Sequence, residues 1–306
     1  MKITTWNVNQ FCGNKFWRIP FLEKEQIWKD INKKIFNKIE LFLQDENDLL
    51  FLNEVPTGEI FSKFQDECKK IGVVIIDAAS DINDVGRKRP YKTIALFKGN
   101  NYTYAFGNNQ DEYFDYMNDK FNREATFVNL KNGEEVAISG NDIGRVIVVK
   151  SVNTKRYYIG MHIPDSTYSV EGYKEKESFQ QPKQFIKNLS KLVDYLIKND
   201  NNNCEIVCCG DTNIGEISPK KEEFQKFLDD NSMVDVWREM GRDVNEFTYI
   251  NKKTRIDKFL ISKNLLNRIN DIELDKEIEL NGSNNNNVYL KLSDHYPISI
   301  EINKTK

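Results

Sequence analysis

Short apolar stretches rich in branched residues recur along the chain, separated by longer polar or mixed segments. Continuous apolar stretches of this kind are typical of β-strands that are buried on both faces. The predicted strands are Met1–Trp6, Leu49–Leu52, Val73–Ile76, Thr93–Phe97, Val146–Val149, Tyr157–Met161, Ile206–Cys209, Asp257–Ile261 and Ile298–Ile302.

Two segments between these strands show the spacing of amphipathic helices. In Gln26–Leu43 and in Phe185–Ile197, apolar residues return at helical intervals, so each helix has one apolar face. Strands with intervening helices from end to end predict layered sheets with helices outside. No linker divides the sequence, and we predict a single domain that covers residues 1–306.

The segment 100–141 shows no clear period. It could form an elaborated hairpin region or a loop that faces the substrate. Its aromatic rings could then stack on nucleic-acid bases, but packing beneath a long loop is the commoner role of such residues. The aromatic residues are Tyr102, Tyr104, Phe106, Tyr113, Phe114, Tyr116 and Phe121.

Composition restricts the class of protein. Of the 306 residues, 39% are hydrophobic and 30% are charged, which is typical of a water-soluble globular protein rather than a disordered chain. The formal net charge is −3, so any surface that binds a phosphate backbone must be local. The basic turn Arg87–Arg89 is one candidate for such a surface, although most short basic runs are solvated turns.

Other features bear on the compartment. No apolar run approaches the roughly 20 residues that span a bilayer, and the chain opens on a predicted strand rather than a signal segment, so we expect no membrane anchor. Cys208 and Cys209 are adjacent on a predicted strand, which points their side chains to opposite faces and makes one shared metal improbable. Buried reduced thiols, and hence a cytoplasmic location, are the better interpretation.

Polar side chains able to bind a hard cation follow several of the predicted strands. Because side chains at strand ends converge on one rim of a sheet protein, these residues are expected to form one site. Their carboxylate and amide oxygens suit Mg²⁺ or Mn²⁺ and do not suit zinc. The residues are Asn7, Glu54, Asp211, Asn213 and Asp294.

The chain has two histidines, His162 and His295, and each lies in a strand-end motif. Hydrolysis of a phosphodiester requires neutralisation of charge on the phosphoryl oxygens, an activated water and stabilisation of the leaving oxygen. A carboxylate-bound cation and a histidine held by an aspartate could supply all three. His295 could deprotonate the water, with Asp257 as the aspartate that fixes its tautomer.

Five motifs resemble, in their order along the chain, those of the endonuclease/exonuclease/phosphatase superfamily. Any one of them is weak, whereas five in order from the first predicted strand to the last are specific. The resemblance implies a four-layered α/β sandwich, in which two packed mixed β-sheets are flanked by helices and the active site lies on the rim where the sheets meet. The motifs are Lys2–Asn9, Phe51–Val55, Gly210–Asn213, Arg255–Leu260 and Ser293–Pro297.

The same resemblance implies roles for the oxygen ligands. It makes Glu54 the main metal ligand, with Asn7 and Asp294 nearby. Asp211 and Asn213 would orient the water, the phosphate or a second metal ion.

The resemblance makes His295 the general base and Asp257 its partner. His162 matches the second histidine of the pancreatic deoxyribonuclease branch, where it would act as a general acid or as a phosphate ligand. The carboxylate that supports this histidine in deoxyribonucleases would fall near Tyr91–Thr93, where the sequence has no acid. Arg145, which directly precedes the strand before that of His162, is the predicted phosphate-binding arginine.

Three functional hypotheses follow. The first is a metal-dependent nuclease, in particular an endonuclease, that uses Mg²⁺ or Mn²⁺ and has DNA or RNA as its partner. The second is a phosphatase or lipid phosphodiesterase of the same superfamily, acting on inositol phosphates, sphingomyelin or another small phosphoester, since loops around the site determine the substrate. The third is a non-catalytic binding protein on the same fold. The ligand set favours an enzyme, whereas the net charge of −3 weighs against nucleic acid unless the structure has a basic groove.

Overall fold

Two six-stranded sheets and two short ribbons contain all the named strands of the computed structural model. The structure describes residues 1–11, 33–77, 83–84, 87–88, 91–105, 110–121, 126–129, 135–138, 142–165, 180–201, 203–243, 245–276 and 293–303.

The first sheet contains β1 (Lys2–Asn7), β2 (Leu49–Pro56), β3 (Val73–Asp77), β6 (Tyr91–Lys98), β15 (Ile269–Leu274) and β16 (Ile298–Ile302). Their order across the sheet is β15-β16-β1-β2-β6-β3. The pair β1 and β2 is parallel and the other pairs are antiparallel, so the sheet is mixed.

The second sheet contains β7 (Tyr102–Tyr104), β10 (Val146–Ser151), β11 (Arg156–His162), β12 (Glu205–Asp211), β13 (Met233–Asp235) and β14 (Asp257–Ser262). Their order is β13-β14-β12-β11-β10-β7. It is mixed in the same way, because β11 and β12 are parallel and their neighbours are antiparallel.

The ribbons and helices connect the strands of the two sheets. One ribbon pairs β4 (Asn83–Asp84) with β5 (Arg87–Lys88), and the other pairs β8 (Thr126–Asn129) with β9 (Glu135–Ile138). The helices are 33–42, Glu59–Lys70, Gln110–Phe121, Gln180–Asn199, Lys221–Asp230 and Val236–Glu239, and single 3₁₀ segments cover Asn9–Phe11, Ile143–Arg145 and Lys263–Arg268.

The outer face of the first sheet packs against helices. Leu50 and Leu52 of β2 belong to one apolar cluster with Ile35 and Phe64 from the helices 33–42 and Glu59–Lys70. Successive side chains of a strand point to opposite faces, so the neighbouring residue Phe51 points to the other side and belongs to a second cluster. An uninterrupted apolar strand is therefore buried on both faces, as the sequence predicted.

The inner face of the first sheet packs directly on the second sheet. A Cβ atom added to Gly160 would lie 2.3 Å from Cδ1 of Phe51, so glycine is needed for this close approach. The buried Asn53 also joins the sheets, because its Nδ2 donates to Thr93 Oγ1 at 3.1 Å and to the carbonyl oxygen of Met161 at 3.1 Å. The predicted four-layered α/β sandwich of two packed mixed sheets with flanking helices is confirmed.

All the predicted strands are present, most of them longer by one or more residues. The helix predicted at Phe185–Ile197 extends over Gln180–Asn199. Residues 33–42 of the helix predicted at Gln26–Leu43 are helical, and its first residues lie outside the described part of the chain. The sequence predicted β2 only as far as Leu52, whereas a bulge between Leu52 and Val55 lets the strand continue to Pro56.

The segment 100–141 is only in part the hairpin region that we considered. It contains β7, the helix Gln110–Phe121 and the ribbon of β8 and β9. Tyr102, Tyr113 and Phe121 are buried in the core, so packing is the right interpretation for these rings. Phe106 and Arg89 lie outside the described residues, whereas Arg87 and Lys88 form β5.

Cys68, Cys204, Cys208 and Cys209 are buried and free of disulfide bonds. Burial raises the pKa of the Cys208 thiol well above its ordinary value, which keeps the group protonated and unreactive. These cysteines are the buried thiols that the sequence predicted, while Cys12 lies outside the described residues. Within the described chain, every helix is too short or too polar to cross a membrane.

Candidate active site

The ends of five strands, β1, β2, β11, β12 and β14, meet at one rim of the sandwich. In the parallel register of β1 and β2, Asn7 lies beside Asn53, next to Glu54. In the second sheet, Asp211 lies between His162 on β11 and Asp257 on β14. The rim holds a cleft of about 480 Å³, whose lining includes Glu54, Arg145, His162, Asp211, Asp294 and His295.

Glu54 occupies the bulge of β2 with an unusual backbone conformation. Its φ of 56° lies in the left-handed region, which non-glycine residues seldom adopt. The bulge redirects the side chain to the rim, as bulges next to functional sites often do. Asn7 Nδ2 donates to Glu54 Oε1 at 3.2 Å and to Asp211 Oδ2 at 2.9 Å, so one amide holds a carboxylate from each sheet.

The orientation of the Asn7 amide follows from its other contact. The backbone N–H of Asn9 donates to Asn7 Oδ1 at 2.9 Å, which requires the amide oxygen on that side and its nitrogen toward the carboxylates. Asn9 Nδ2 in turn donates to Asp294 Oδ1 at 2.6 Å. The end of β1 therefore connects the carboxylates of Glu54, Asp211 and Asp294.

His295 and Asp257 form a buried dyad. His295 Nδ1 lies 2.8 Å from Asp257 Oδ2, and the backbone N–H of Asp257 donates to Thr248 Oγ1 at 3.0 Å. On the opposite side of the ring, His295 Nε2 lies 4.0 Å from Asp211 Oδ2 and 3.9 Å from Asp294 Oδ1. Burial lowers the pKa of His295, but the charge and hydrogen bond of Asp257, together with the charges of Asp211 and Asp294, outweigh burial and raise the pKa to about 10.

The two central carboxylates are costly to ionise without a cation. Burial raises the pKa of Asp211 to about 7, and the charge of Asp257 adds to this effect while His295 opposes it. Burial also raises the pKa of Glu54. Ligand atoms of Glu54, His162 and Asp211 lie within 4.8 Å of one another. Buried carboxylate oxygens at this spacing are a donor set that fits a hard divalent cation.

Arg145 contacts His162 at the wall of the cleft. Arg145 Nη1 lies 3.2 Å from His162 Nδ1, and Arg145 Nη2 donates to Tyr91 Oη at 3.1 Å. The guanidinium also pairs with Asp142, with 3.6 Å between Nε and Oδ1. These contacts hold one cation at the rim, in a position to meet a phosphate.

The sequence matches no protein-family model and no curated protein sequence. The structure is similar to the 3′ phosphatase NExo from Neisseria bound to a product DNA hairpin, with 16% identity, a TM-score of 0.58 and coverage of 99% of this chain and 100% of that chain. An AP endonuclease from Archaeoglobus fulgidus gives 18% identity, a TM-score of 0.56 and coverage of 99% and 100%. Humanized D. rerio TDP2 gives 14% identity, a TM-score of 0.55 and coverage of 99% of both chains.

The chain has a deoxyribonuclease I-like fold. The likeness extends over nearly the whole chain, and at these identities it concerns the fold. The fold that the resemblance implied is thereby confirmed. The roles of individual residues depend on the geometry of this chain.

On this deoxyribonuclease I-like scaffold, all the predicted site residues lie at the same rim. Most line the cleft, whereas Asn7 and Asp257 lie behind it, each with 1% exposure, in contact with the cleft residues. The residues at the cleft wall are Glu54, Arg145, His162, Asp211, Asn213, Asp294 and His295.

Sequence reasoning missed four residues of the site. Asn9 orients Asn7 and binds Asp294. Tyr91 binds Arg145 and lies in the segment that matches the supporting carboxylate of deoxyribonucleases. The centre of the Tyr249 ring lies 4.8 Å from that of the His295 ring, and Lys252 also lines the cleft. None of the four directly follows a long apolar run, so the pattern of apolar strands does not point to them.

Several buried charges lie behind Asp257. Arg255 Nη2 donates to Asp235 Oδ2 at 2.8 Å and to Glu216 Oε1 at 3.2 Å. Lys258, which follows Asp257 in β14, donates to the carbonyl oxygen of Arg255 at 3.2 Å. Burial, followed by the charge of Arg255, lowers the pKa of Lys258 from 10.5 to about 8.

A Lys258→Met variant tests this lowered pKa. The unfolded chain keeps the Lys258 proton up to a pH of about 10.5, whereas the folded protein releases it near 8, so the unfolded state binds more protons between these values. The wild type should therefore gain roughly 3 kcal/mol of stability relative to Lys258→Met as the pH rises through that window. Denaturant unfolding of both proteins below, within and above the window measures the difference. A difference that does not change with pH would contradict the lowered pKa.

Proposed function

We propose that this protein is a divalent-metal-dependent phosphodiesterase and that it acts as a nuclease on DNA or RNA. The observation that carries the proposal is the arrangement at the rim: the His295–Asp257 dyad faces the carboxylates of Glu54 and Asp211 across one cleft. An oriented base beside a hard-cation donor set is what hydrolysis of a phosphodiester requires.

The oxygen donors of the rim form the proposed metal site. Glu54 is the main ligand of Mg²⁺ or Mn²⁺, and Asp294 lies nearby, with Asn7 holding the carboxylates of Glu54 and Asp211 in position. When bound, such a cation would neutralise charge on the phosphoryl oxygens. It would also offset the negative charge of the carboxylates that raise the pKa of His295.

The remaining residues act on the water and the phosphate. His295 accepts a proton from the attacking water at Nε2, while Asp257 holds Nδ1–H and stabilises the imidazolium that forms. Asp211 and Asn213 orient the water or the phosphate, and Asn213 is itself anchored by donation from Nδ2 to the Ile163 carbonyl at 2.9 Å. Arg145 binds a phosphate oxygen and His162 assists it.

Several observations support a nucleic-acid substrate. Arg145 and Lys252 give the cleft two cations that can contact phosphate, although its lining also includes the carboxylates of Glu54, Asp165, Asp211 and Asp294. The similar structures include a protein described as a 3′ phosphatase with bound DNA and one described as an AP endonuclease. We propose internal cleavage, as an endonuclease, in the cytoplasm, where buried free thiols such as Cys208 are compatible with the reducing conditions.

A cleavage assay tests the proposal directly. Purified wild type and His295→Ala are incubated with plasmid DNA, single-stranded DNA, 3′-phosphorylated DNA, structured RNA and a chromogenic phosphodiester, with Mg²⁺, Mn²⁺ or EDTA. We expect nicking or degradation of a polymer that requires both the metal and His295. Turnover of the small phosphodiester alone would indicate a small-molecule phosphodiesterase instead of a nuclease. The absence of metal-dependent turnover of every substrate would contradict the proposal.

A further inference from the structure

The pairing of β10 and β11 places Arg145 beside His162. Val146 lies opposite Met161 in this antiparallel pair, and Arg145 and His162 are the next residues of the two segments beyond it. Their side chains meet with 3.2 Å between Arg145 Nη1 and His162 Nδ1. In deoxyribonucleases a carboxylate supports the matching histidine, but this sequence has no acid at Tyr91–Thr93, and the structure has an arginine at Nδ1 of His162 instead.

The chemistry of the two side chains determines the direction of this hydrogen bond. A guanidinium has N–H donors, no acceptor, and does not lose its proton in proteins. The contact between Arg145 and His162 is therefore a hydrogen bond only when Nδ1 carries a lone pair. Because a neutral imidazole has one proton, the proton of His162 lies on Nε2.

Contacts on the other side of the ring agree with this tautomer. His162 Nε2 lies 3.4 Å from Glu54 Oε1 and 3.9 Å from Asp211 Oδ2. Carboxylate oxygens accept hydrogen bonds, so both favour an N–H at Nε2. A proton on Nδ1 would face the Arg145 N–H instead, where the His162 side chain is only 5% exposed and water screens little of the repulsion.

Arg145 is held firmly enough to impose this arrangement. Its Nη2 donates to Tyr91 Oη at 3.1 Å, and its guanidinium carbon lies 5.5 Å from the centre of the Tyr91 ring. Asp142 lies 3.6 Å from its Nε. Rotation of the guanidinium away from His162 would disrupt these contacts.

We propose that Arg145 fixes the Nε2–H tautomer of His162, so that His162 serves as a neutral hydrogen-bond donor to a non-bridging oxygen of the substrate phosphate. The reaction in this statement rests on the proposed function, whereas the tautomer rests on geometry alone. Arg145 acts here as a positioning residue, in addition to its own contact with phosphate.

Two other roles of His162 are excluded by this tautomer. A neutral imidazole gives up its remaining proton only at great cost, so His162 is not the general acid that protonates the leaving oxygen. Its Nε2 has no lone pair, so His162 is not a metal ligand either, although it lies beside Glu54 and Asp211. Metal binding then depends on the carboxylates.

Nitrogen NMR of the metal-free wild type tests the tautomer without substrate. With ¹⁵N-labelled histidine, long-range proton–nitrogen correlations show which ring nitrogen carries the proton, and the chain has just two histidines. A His162→Gln sample assigns the signals by leaving those of His295. We expect a protonated Nε2 and an unprotonated Nδ1 for His162. A proton on Nδ1, alone or with Nε2 also protonated, would overturn the proposal.

Rates and metal affinity test the role of the donor. His162→Ala should lose about 10²-fold to 10³-fold in rate, as loss of one preorganised donor does. His162→Gln keeps an amide N–H near the position of Nε2 and should recover at least about tenfold of this loss. Circular dichroism should show that both variants are folded. Glutamine is closer to histidine in size than alanine is, so His162→Gln is expected to disturb the fold less.

The two variants distinguish the possible failures. If His162→Gln is folded but hydrolyses the substrate as slowly as His162→Ala, His162 acts as a general acid and the donor role is overturned. A fall of more than about 100-fold in the Mn²⁺ affinity of His162→Gln, measured by electron paramagnetic resonance, would exceed the contribution of an outer ligand. It would indicate that His162 binds the metal directly and would overturn the donor role too. A wild type with the expected tautomer but without hydrolytic activity would contradict the proposed function instead.

Discussion

Replacing His295 with alanine is expected to slow metal-dependent phosphodiester hydrolysis by about 10²-fold to 10⁴-fold, which is the typical contribution of a positioned general base. His295 is buried at the rim with Nε2 toward Asp211 and Asp294, and its Nδ1 is held by Asp257. Single-turnover rates at saturating Mg²⁺ or Mn²⁺ give the effect on the chemical step. A loss smaller than tenfold would mean that another group activates the water.

The same substitution leaves the Asp257 carboxylate without its partner. Asp257 is 1% exposed, so removal of the imidazole should also lower the melting temperature, because an unpaired buried charge costs several kcal/mol. Asp257→Asn is the matched variant, since it keeps the volume but cannot hold the imidazolium by charge. We expect a rate loss comparable to that of His295→Ala, and a double variant little slower than either single one, because the two residues act as a unit.

The strands that the sequence predicted are those with a continuous apolar run. β2 and β12 are buried on both faces, so every position favours an apolar residue and the pattern is readable without knowledge of the neighbours. β15 was missed because only every third residue or so is buried, and Asp271 and Glu273 interrupt the run. Its place at the sheet edge follows from pairing with β16, which a single sequence does not specify.

The helix Gln110–Phe121 shows a different reason for a missed element. Tyr113, Met117 and Phe121 are fully buried at intervals of four residues, which is a helical period. The exposed acids and aromatic rings between them hid this period in a segment that we considered as a hairpin or loop. Tertiary packing, rather than local preference, determines such a helix.

The catalytic candidates could be predicted because they stand next to readable strands. Asp211 and Asp257 lie at the ends of β12 and β14, and His162 ends β11. The contact of Arg145 with His162 and that of Tyr91 with Arg145 depend on strand register and on side-chain rotamers. Neither contact is encoded in local composition, which is why the sequence left the role of His162 open. The contact with Arg145 is the observation from which we infer the tautomer of His162.

A Glu54→Gln variant is expected to lose metal-dependent hydrolysis by at least about 10³-fold, because it removes the main ligand charge from a cation that supplies several kcal/mol of transition-state stabilisation. The fold should survive, since the amide oxygen can still accept from Asn7 Nδ2 at the position of Oε1. Burial already raises the pKa of Glu54, so the ionised carboxylate is unfavourable in the metal-free protein and its neutral analogue is not.

Thermal unfolding separates the loss of metal binding from damage to the fold. In EDTA, Glu54→Gln should melt at or above the temperature of the wild type, since the substitution removes a charge that burial disfavours. With Mg²⁺ or Mn²⁺ in excess, the wild type should gain stability by ligand binding and the variant should not. Glu67→Gln is the matched control, because Glu67 pairs with Lys70 on an exposed helix face and should keep both activity and metal response. Full activity in Glu54→Gln would remove this carboxylate from the metal site, and an equal metal response in both proteins would place the cation elsewhere on the rim.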